Sequence, residues 1–446
     1  MLSGGTAWPI FLFALPIMLG YFFQQLYITV DAVIVGRFLG NQSLAALSVA
    51  SPILFIVVFF LFGACTGVSV LMAQIYGSGD RKRLKEEMST ALIAGTVFTL
   101  ALSALCLCTA RDILVWTKAP AEIHDETMAY LEIVFVGLIF SFLYNYYAAV
   151  LRGIGNSRIP FVFQVLASLL HIGMNLLFVG VMGLGVRGSA LATVLSQALS
   201  SAACIVYVYR SEPLLALHRG EFLFVRSAFV KTLGYSWASA MQSIIVYVGR
   251  FLVQGCVNPF GAEVIAGYNA ATRVEGIVMM PFSGVSTATA TFCAQNIGAG
   301  HVERVKSGYK VGLVMDFVYA VLACAALYWG AHGVMTIFVS GESSGSVIIG
   351  TGVEYLRWMA FYYTIAAVDE VQQGFFRGLG AFQTTMLVSL LQIIVRVSLS
   401  FLLVPRMGIP AIAHATGIGW AMVFVGMSLY SWHRLKGLER VKVKFE

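Results

Sequence analysis

Twelve apolar stretches of about twenty residues or more run along the chain, near 8–34, 44–74, 88–109, 129–151, 159–180, 186–209, 230–256, 263–295, 308–330, 352–376, 383–404 and 409–432. Polar residues gather in the short loops between them. A helix rises about 1.5 Å per residue and the hydrocarbon core of a bilayer is about 30 Å thick, so each stretch is long enough to span it. A transmembrane barrel would instead show alternating segments of about ten residues. The pattern predicts an all-α membrane protein of twelve transmembrane helices.

Composition excludes the soluble alternative. Apolar residues make up 59% of the 446 and charged residues 11%, against about 25% charged in a soluble domain. The net charge of +7 does not point to nucleic acid, because the basic residues sit in loops where insertion topology explains them. One set of loops and the C-terminal tail holds Arg81, Lys82, Arg83, Lys85, Arg152, Arg158, Arg210, Arg219, Arg226, Lys231, Arg304, Lys306, Lys310, Arg377, Arg434, Lys436, Arg440, Lys442 and Lys444. The opposite loops hold only Arg37, Arg111, Lys118, Arg187 and Arg406. This asymmetry places both termini in the cytoplasm. The first apolar segment lacks a basic leader and a cleavage site and is expected to stay as a helix. The seven cysteines all fall in apolar stretches. They show no metal-ligand spacing or disulfide framework and are read as small buried hydrophobes.

The chain repeats itself. Residues 130–155, from Tyr-Leu-Glu to LRGIG, match 355–380, from Tyr-Leu-Arg to FRGLG. LMAQIYGSGD (71–80) matches FCAQNIGAGH (292–301), Gly63 matches Gly284, and GVRGSALA (185–192) matches GIPAIAHA (408–415). Matched segments lie six spans apart, so both copies insert in the same direction. Two six-helix lobes related by a parallel pseudo-twofold repeat are expected, with a cavity between them and alternating access by rocking. The expected divisions are an N-lobe over 1–212, a cytoplasmic linker over 213–230, a C-lobe over 231–432 and a basic cytoplasmic tail over 433–446.

A charge inside a span is costly, about 2.5–3.5 kcal/mol for Asp on insertion scales, so each is a candidate for function. Asp31 follows the first apolar run with no basic residue before Arg37. Gln24, Tyr27 and Asp31 share a helix face, and Pro16 upstream is a candidate hinge. His171 and Asn175 share a face of span five, with Thr193 in span six and Asn145 in span four. The second lobe offers Arg273, Glu275, Asp369, Glu370, Gln373, Arg377, Gln392 and Arg396, for which ion pairing would reduce the insertion cost. Glu132 and Asp316 have no clear partner. Phe22, Phe23, Tyr144, Tyr146, Tyr147, Met279 and Met280 offer aromatic and thioether faces for flat cations, or ordinary helix packing. No Walker A loop is present; GSGD (77–80) lacks the Lys-Ser/Thr of a phosphate cradle. An enzyme is not expected.

Several of these stretches resemble one family. FALPIMLGYFFQQLYITVDAVIVGRFLG (13–40), LAALSVASPI after it, AQIYGSGD (73–80), LRGIGNSRIP (151–160), GVRGSALATVLSQ (185–197) and YNAATRVEGIVMMPFSGVSTATATFCAQNIGAG (268–300) are similar to the multidrug and toxic compound extrusion (MATE) transporters. The resemblance runs from about residue 8 to 432. It implies two six-helix lobes and drug export driven by inward flow of protons or sodium ions. It also places the family's N-lobe cation-site Asp at Asp31. Members often carry Asn and Asp where His171 and Asn175 stand. This chain therefore keeps one carboxylate where some relatives have two, which favours a proton on Asp31 with His171 as a second titratable group. The sodium-coupled branch often has a Glu in span seven, where this chain has Gln242.

The expected function is secondary antiport of small cationic or amphipathic compounds across the bacterial cytoplasmic membrane. The expected protein acts as a monomer among lipids, with no cofactor, metal or nucleic acid beyond the coupling H+ or Na+. The alternatives are a flippase for lipid-linked oligosaccharides, from the same broader superfamily, and a non-transporting membrane receptor or scaffold. A wide basic groove would favour the flippase, and a soluble module the receptor. Topology is directly testable: a cysteine placed at Arg83 should resist an impermeant thiol reagent in right-side-out vesicles and react in inverted ones.

Overall fold

The computed structural model describes residues 1–116, 120–338 and 345–442, with the backbone alone at 338 and 432–442. Lys118, Lys444 and the side chains of the basic tail lie outside the described residues. The described residues contain helices and no strands. The first helix, α1 (Ala7–Ser78), has 72 residues, about 108 Å at the usual rise and far more than one crossing needs. It breaks at Gly40, where φ 81° and ψ −171° suit a residue without a Cβ, and so supplies spans one and two. Span three is α2 (Arg81–Trp116). Span four is broken into α3 (His124–Val136) and α4 (Leu138–Gly153), bent by 44° around Gly137. Span five is α5 (Arg158–Asn175), which runs into a π-helical turn, Leu176–Val181. Span six is α6 (Gly185–Ser211), whose Val194 would meet any Cβ added at Gly137.

The second six spans are α7 (Arg226–Val257), α8 (Ala262–Gly298), α9 (Val302–Phe338), α10 (Gly345–Gly378), α11 (Phe382–Met407) and α12 (Pro410–Lys442). Among the described residues, nine single helices and the bent pair are long and apolar enough to cross a membrane. The break in α1 adds a crossing. The twelfth, α10, falls outside that apolar set because it carries Glu354, Arg357, Asp369, Glu370 and Arg377. The outer faces need lipid: Val97, Leu105, Leu322 and Ile337 are 63, 59, 64 and 81% exposed, which water would not sustain over so many neighbours. Six of the seven cysteines are buried or half-buried as expected, whereas Cys108 is exposed.

The chain forms two compact units, and their limits differ from the simple halves. One is Leu19–Ala240; the other is Met241–Glu446 together with Met1–Met18. In the second unit Ile10, Phe13 and Ala14 pack in one core with Val285, Phe292 and Phe375. In the first unit the start of α7 packs equivalently, with Tyr235 against the core of Val68, Met72 and Tyr146. Small residues permit both approaches. A Cβ at Gly67 would lie 2.5 Å from Tyr235 O, and one at Gly284 would collide with Met18. Helical dihedrals continue through Pro16, and the break at Gly40 is the one that separates spans one and two.

The linker expected over 213–230 is strapped onto the first unit. Leu215 and Leu217 enter its core. Lys85 Nζ meets Glu221 Oε1 at 2.6 Å, Leu223 N donates to Ser89 Oγ at 2.8 Å, and Val225 N donates to Thr90 Oγ1 at 3.0 Å. Glu87 is buried beneath this strap and accepts a hydrogen bond from Thr232.

Gly67→Ala is expected to cost about 1–3 kcal/mol by overpacking, despite the helix propensity it gains. Gly276→Ala, with nothing within 4 Å of the new Cβ, should not destabilise. Thermal unfolding of both variants in detergent checks the pair.

Candidate functional site

Within the first unit, spans one, five and six bring together most of the polar residues expected to cooperate. Asp31 points from α1, its side chain 14% exposed. Asn175 Nδ2, at the end of α5, donates to Asp31 Oδ1 at 2.5 Å, and Ser189 Oγ of α6 donates to the same oxygen at 3.1 Å. His171 Nε2 stands 3.6 Å from that oxygen, with the imidazole fully buried. Thr193 Oγ1 lies 3.2 Å from His171 Nε2 and receives the Tyr27 hydroxyl at 3.4 Å. The Tyr27 and His171 rings pack at 4.1 Å between centroids. His171 Nδ1 and Asn175 Oδ1 are buried with no hydrogen-bond partner among the described residues.

The local sequence explains this assembly. His171 and Asn175 are one turn apart on α5, as are Ser189 and Thr193 on α6, so two adjacent helices each present two polar groups to Asp31. The π turn begins directly after Asn175, in keeping with the frequent placement of such bulges at functional positions. Ser189 and Tyr130 were not anticipated. Ser189 was legible in principle as the residue one turn before Thr193. Tyr130 of α3 also bonds Thr193.

Other expected members do not join. Gln24 is exposed. Asn145 Nδ2 donates to Ser141 O of its own helix at 2.8 Å. Tyr144 and Tyr146 are buried, with hydroxyls donating to Pro160 O at 2.9 Å and Met88 O at 2.6 Å; Tyr147 is buried against Tyr146. These three rings are core residues and offer no face to a flat cation.

In the second unit the carboxylates and arginines expected to form a network interact electrostatically, Glu275 with Arg396 and Glu370 with Arg377 and Arg250, while their direct hydrogen bonds go to neutral groups. Glu275 Oε2 accepts from the Tyr355 hydroxyl at 2.7 Å. Arg273 is exposed; two residues from Glu275, it does not share its helix face. Arg396 is buried and bonds Tyr268. Gln242 Nε2 donates to Gln373 Oε1 at 2.6 Å and Ser389 Oγ at 2.9 Å. Arg377 donates to Ser286 Oγ at 2.8 Å and lies near Glu370. Among the described residues no ion pair involves Glu275, Asp369, Glu370 or Arg396, and no cluster of His, Cys, Asp and Glu could hold a metal ion.

Two tandem sets of six spans, with carboxyls retained inside them, define a multi-pass membrane protein of the transporter class. The chain belongs to the MatE family, whose signature matches residues 16–177 and 238–402, one block in each repeat. It is 26% identical over 433 residues to the probable multidrug resistance protein YpnP of Bacillus subtilis, covering 97% of this chain and 96% of that one. It is 23% identical over 390 residues to the probable multidrug resistance protein NorM of Thermotoga maritima, covering 85% and 82%. Its fold is similar to that of a multidrug resistance MATE family transporter of the MOP superfamily solved in an outward-facing conformation. The TM-score is 0.91 at 21% identity, with 98% of each chain covered.

Tyr355→Phe leaves the buried Glu275 without its phenolic donor and is expected to cost about 1–3 kcal/mol, while Glu275→Gln, which keeps an acceptor there, should cost less. Thermal unfolding in detergent distinguishes the two.

Proposed function

We propose that the protein is a secondary antiporter exporting small cationic or amphipathic molecules in exchange for protons, with Asp31 as the coupling carboxyl. Its relatives' names as probable multidrug resistance proteins support export. The observation that carries the choice of proton is the setting of Asp31. This carboxylate faces the amide nitrogen of Asn175, the hydroxyl of Ser189 and the imidazole nitrogen of His171. A sodium ion seeks several oxygen ligands, and two of the three groups bonded or paired to Asp31 turn nitrogen toward it. A proton needs only the carboxyl and a neighbour able to exchange it, and imidazole is suited to that near neutral pH.

Protonation would turn Asp31 Oδ from pure acceptor into donor and reset its bonds to α5 and α6. Coupling follows if the two protonation states favour different conformations, because a ligand shifts an equilibrium only by its differential affinity. Both termini belong in the cytoplasm on this reading, and Pro16 remains the proposed hinge of α1.

Asp31→Asn fixes the neutral form. It should insert and fold normally while abolishing efflux driven by a pH gradient in proteoliposomes, and Asp369→Asn should do less. Full pH-driven efflux by Asp31→Asn would move the coupling site elsewhere.

A further inference from the structure

Buried carboxyls in this protein mostly have donors. Asp31 has Asn175 and Ser189, Glu275 has Tyr355, and Glu87 has Thr232. Asp316 of α9 and Asp369 of α10 do not. They are 0 and 1% exposed, and neither oxygen of either has a hydrogen-bond partner among the described residues.

Among the described residues, the surroundings of Asp316 offer no compensating charge. One turn earlier, Gly312 brings α9 so close to its neighbours that a Cβ there would lie 2.5 Å from Thr289 Oγ1 of α8 and 3.0 Å from Val371 Cγ1 of α10. Thr289 Oγ1 is itself buried without a partner. On α10 the charged neighbour is Glu370, whose negative charge bears on both Asp316 and Asp369 while its own is offset by Arg377 and Arg250. Tyr363, on the same helix, has a buried hydroxyl without a partner. On α9 itself, Tyr319 gives its hydroxyl to Val278 O of α8 at 3.1 Å. The one histidine with a described bond on α12, His414, is taken by Tyr362 at 2.9 Å. No Lys or Arg forms an ion pair with Asp316 among the described residues.

An ionised carboxylate without donor or counter-charge is not retained in such a setting; it takes up a proton instead. We propose that Asp316 is a second proton-carrying residue of the transport cycle, holding its proton in the conformation described here and releasing it to water when α8, α9 and α10 repack. The step is a proton binding to a carboxylate oxygen and leaving it again, with no other bond made or broken. Because this packing has no place for the carboxylate, loss of the proton requires another conformation, and protonation therefore selects between the two. Asp316 sits in the unit that does not contain Asp31, so each unit has its own titrating carboxyl.

This inference rests on proton antiport as the mode of transport, though not on Asp31 as its site. The test uses the full chain, wild type, Asp31→Asn and Asp316→Asn, with two readouts. The first is the zero-flux pH gradient against a known gradient of ethidium in proteoliposomes, which gives the number of protons exchanged per dye. The second is the pH dependence of thermal unfolding in detergent, which needs no transport. Asp316→Asn should fold, exchange one proton fewer per dye, and lose part of the decline in stability that the wild type shows as pH rises. The sign follows from linkage: a carboxyl held neutral in the folded state stabilises below its unfolded pKa and stops doing so as pH rises above it. An unchanged proton-to-dye ratio with an unchanged stability profile would overturn the proposal, as would failure of this neutral isostere to fold. If Asp31→Asn transports normally while Asp316→Asn lowers the ratio, the assignment of Asp31 falls and this one stands. If dye moves without any proton coupling in the wild type, both fall.

Discussion

Inside hydrocarbon a polar group cannot turn to water, and nearly every feature of this chain answers to that constraint. Backbone amides and carbonyls must pair within each segment, which leaves helices as the spanning element. Charge is expelled to the loops, so α10 with its two adjacent acids stands out from helices that are otherwise apolar. Side-chain hydroxyls turn back onto their own helices, as Ser48, Thr66, Ser168 and Thr287 do on the carbonyls one turn earlier. Against that background, polar groups that face one another across helices have been placed there at a cost, and their arrangement carries functional meaning.

The same constraint shapes packing. Between lipid-facing helices no hydrophobic force draws surfaces together, so close fit has to supply the attraction. Gly67, Gly137, Gly284, Gly312 and Gly374 each stand where a Cβ would overlap a neighbouring helix. Gly374 admits the carbonyl of Ser286, next to the place where Ser286 joins the backbone of Glu370 and the guanidinium of Arg377. Small residues thus set the distances at which the few polar groups meet.

Much of this was legible in the sequence. The expected spans 159–180, 186–209 and 383–404 fall within a few residues of Arg158–Val181, Gly185–Ser211 and Phe382–Met407, because apolar length is a local property. The meeting of His171, Asn175 and Asp31 followed from helical spacing and from the motif around Asp31. What failed depended on distance or direction. Gln24 shares a helical register with Asp31 yet is exposed, since register says which residues align and not which side faces the neighbours. Arg273 and Glu275 are close in sequence but point apart. Tyr146 and Tyr147 were ambiguous between cavity and core, and only the contacts with Met88 and with each other decided it. The attachment of residues 1–18 to the second unit could not be read at all, because it is a pairing of segments more than 200 residues apart.

That attachment bears on how such a chain could have arisen. Each repeat lends its opening half-helix to the core built largely by the other: residues 1–18 go to the later unit, and the start of α7 stays with the earlier one. Two separate copies of an ancestral six-helix protein exchanging those arms would have formed a swapped pair before any fusion. Joining two such copies end to end would keep that exchange within one chain. A fragment ending at residue 212 would carry an arm with no core to receive it and a core missing its arm, so the repeat visible in the sequence is not a unit that can be cut free.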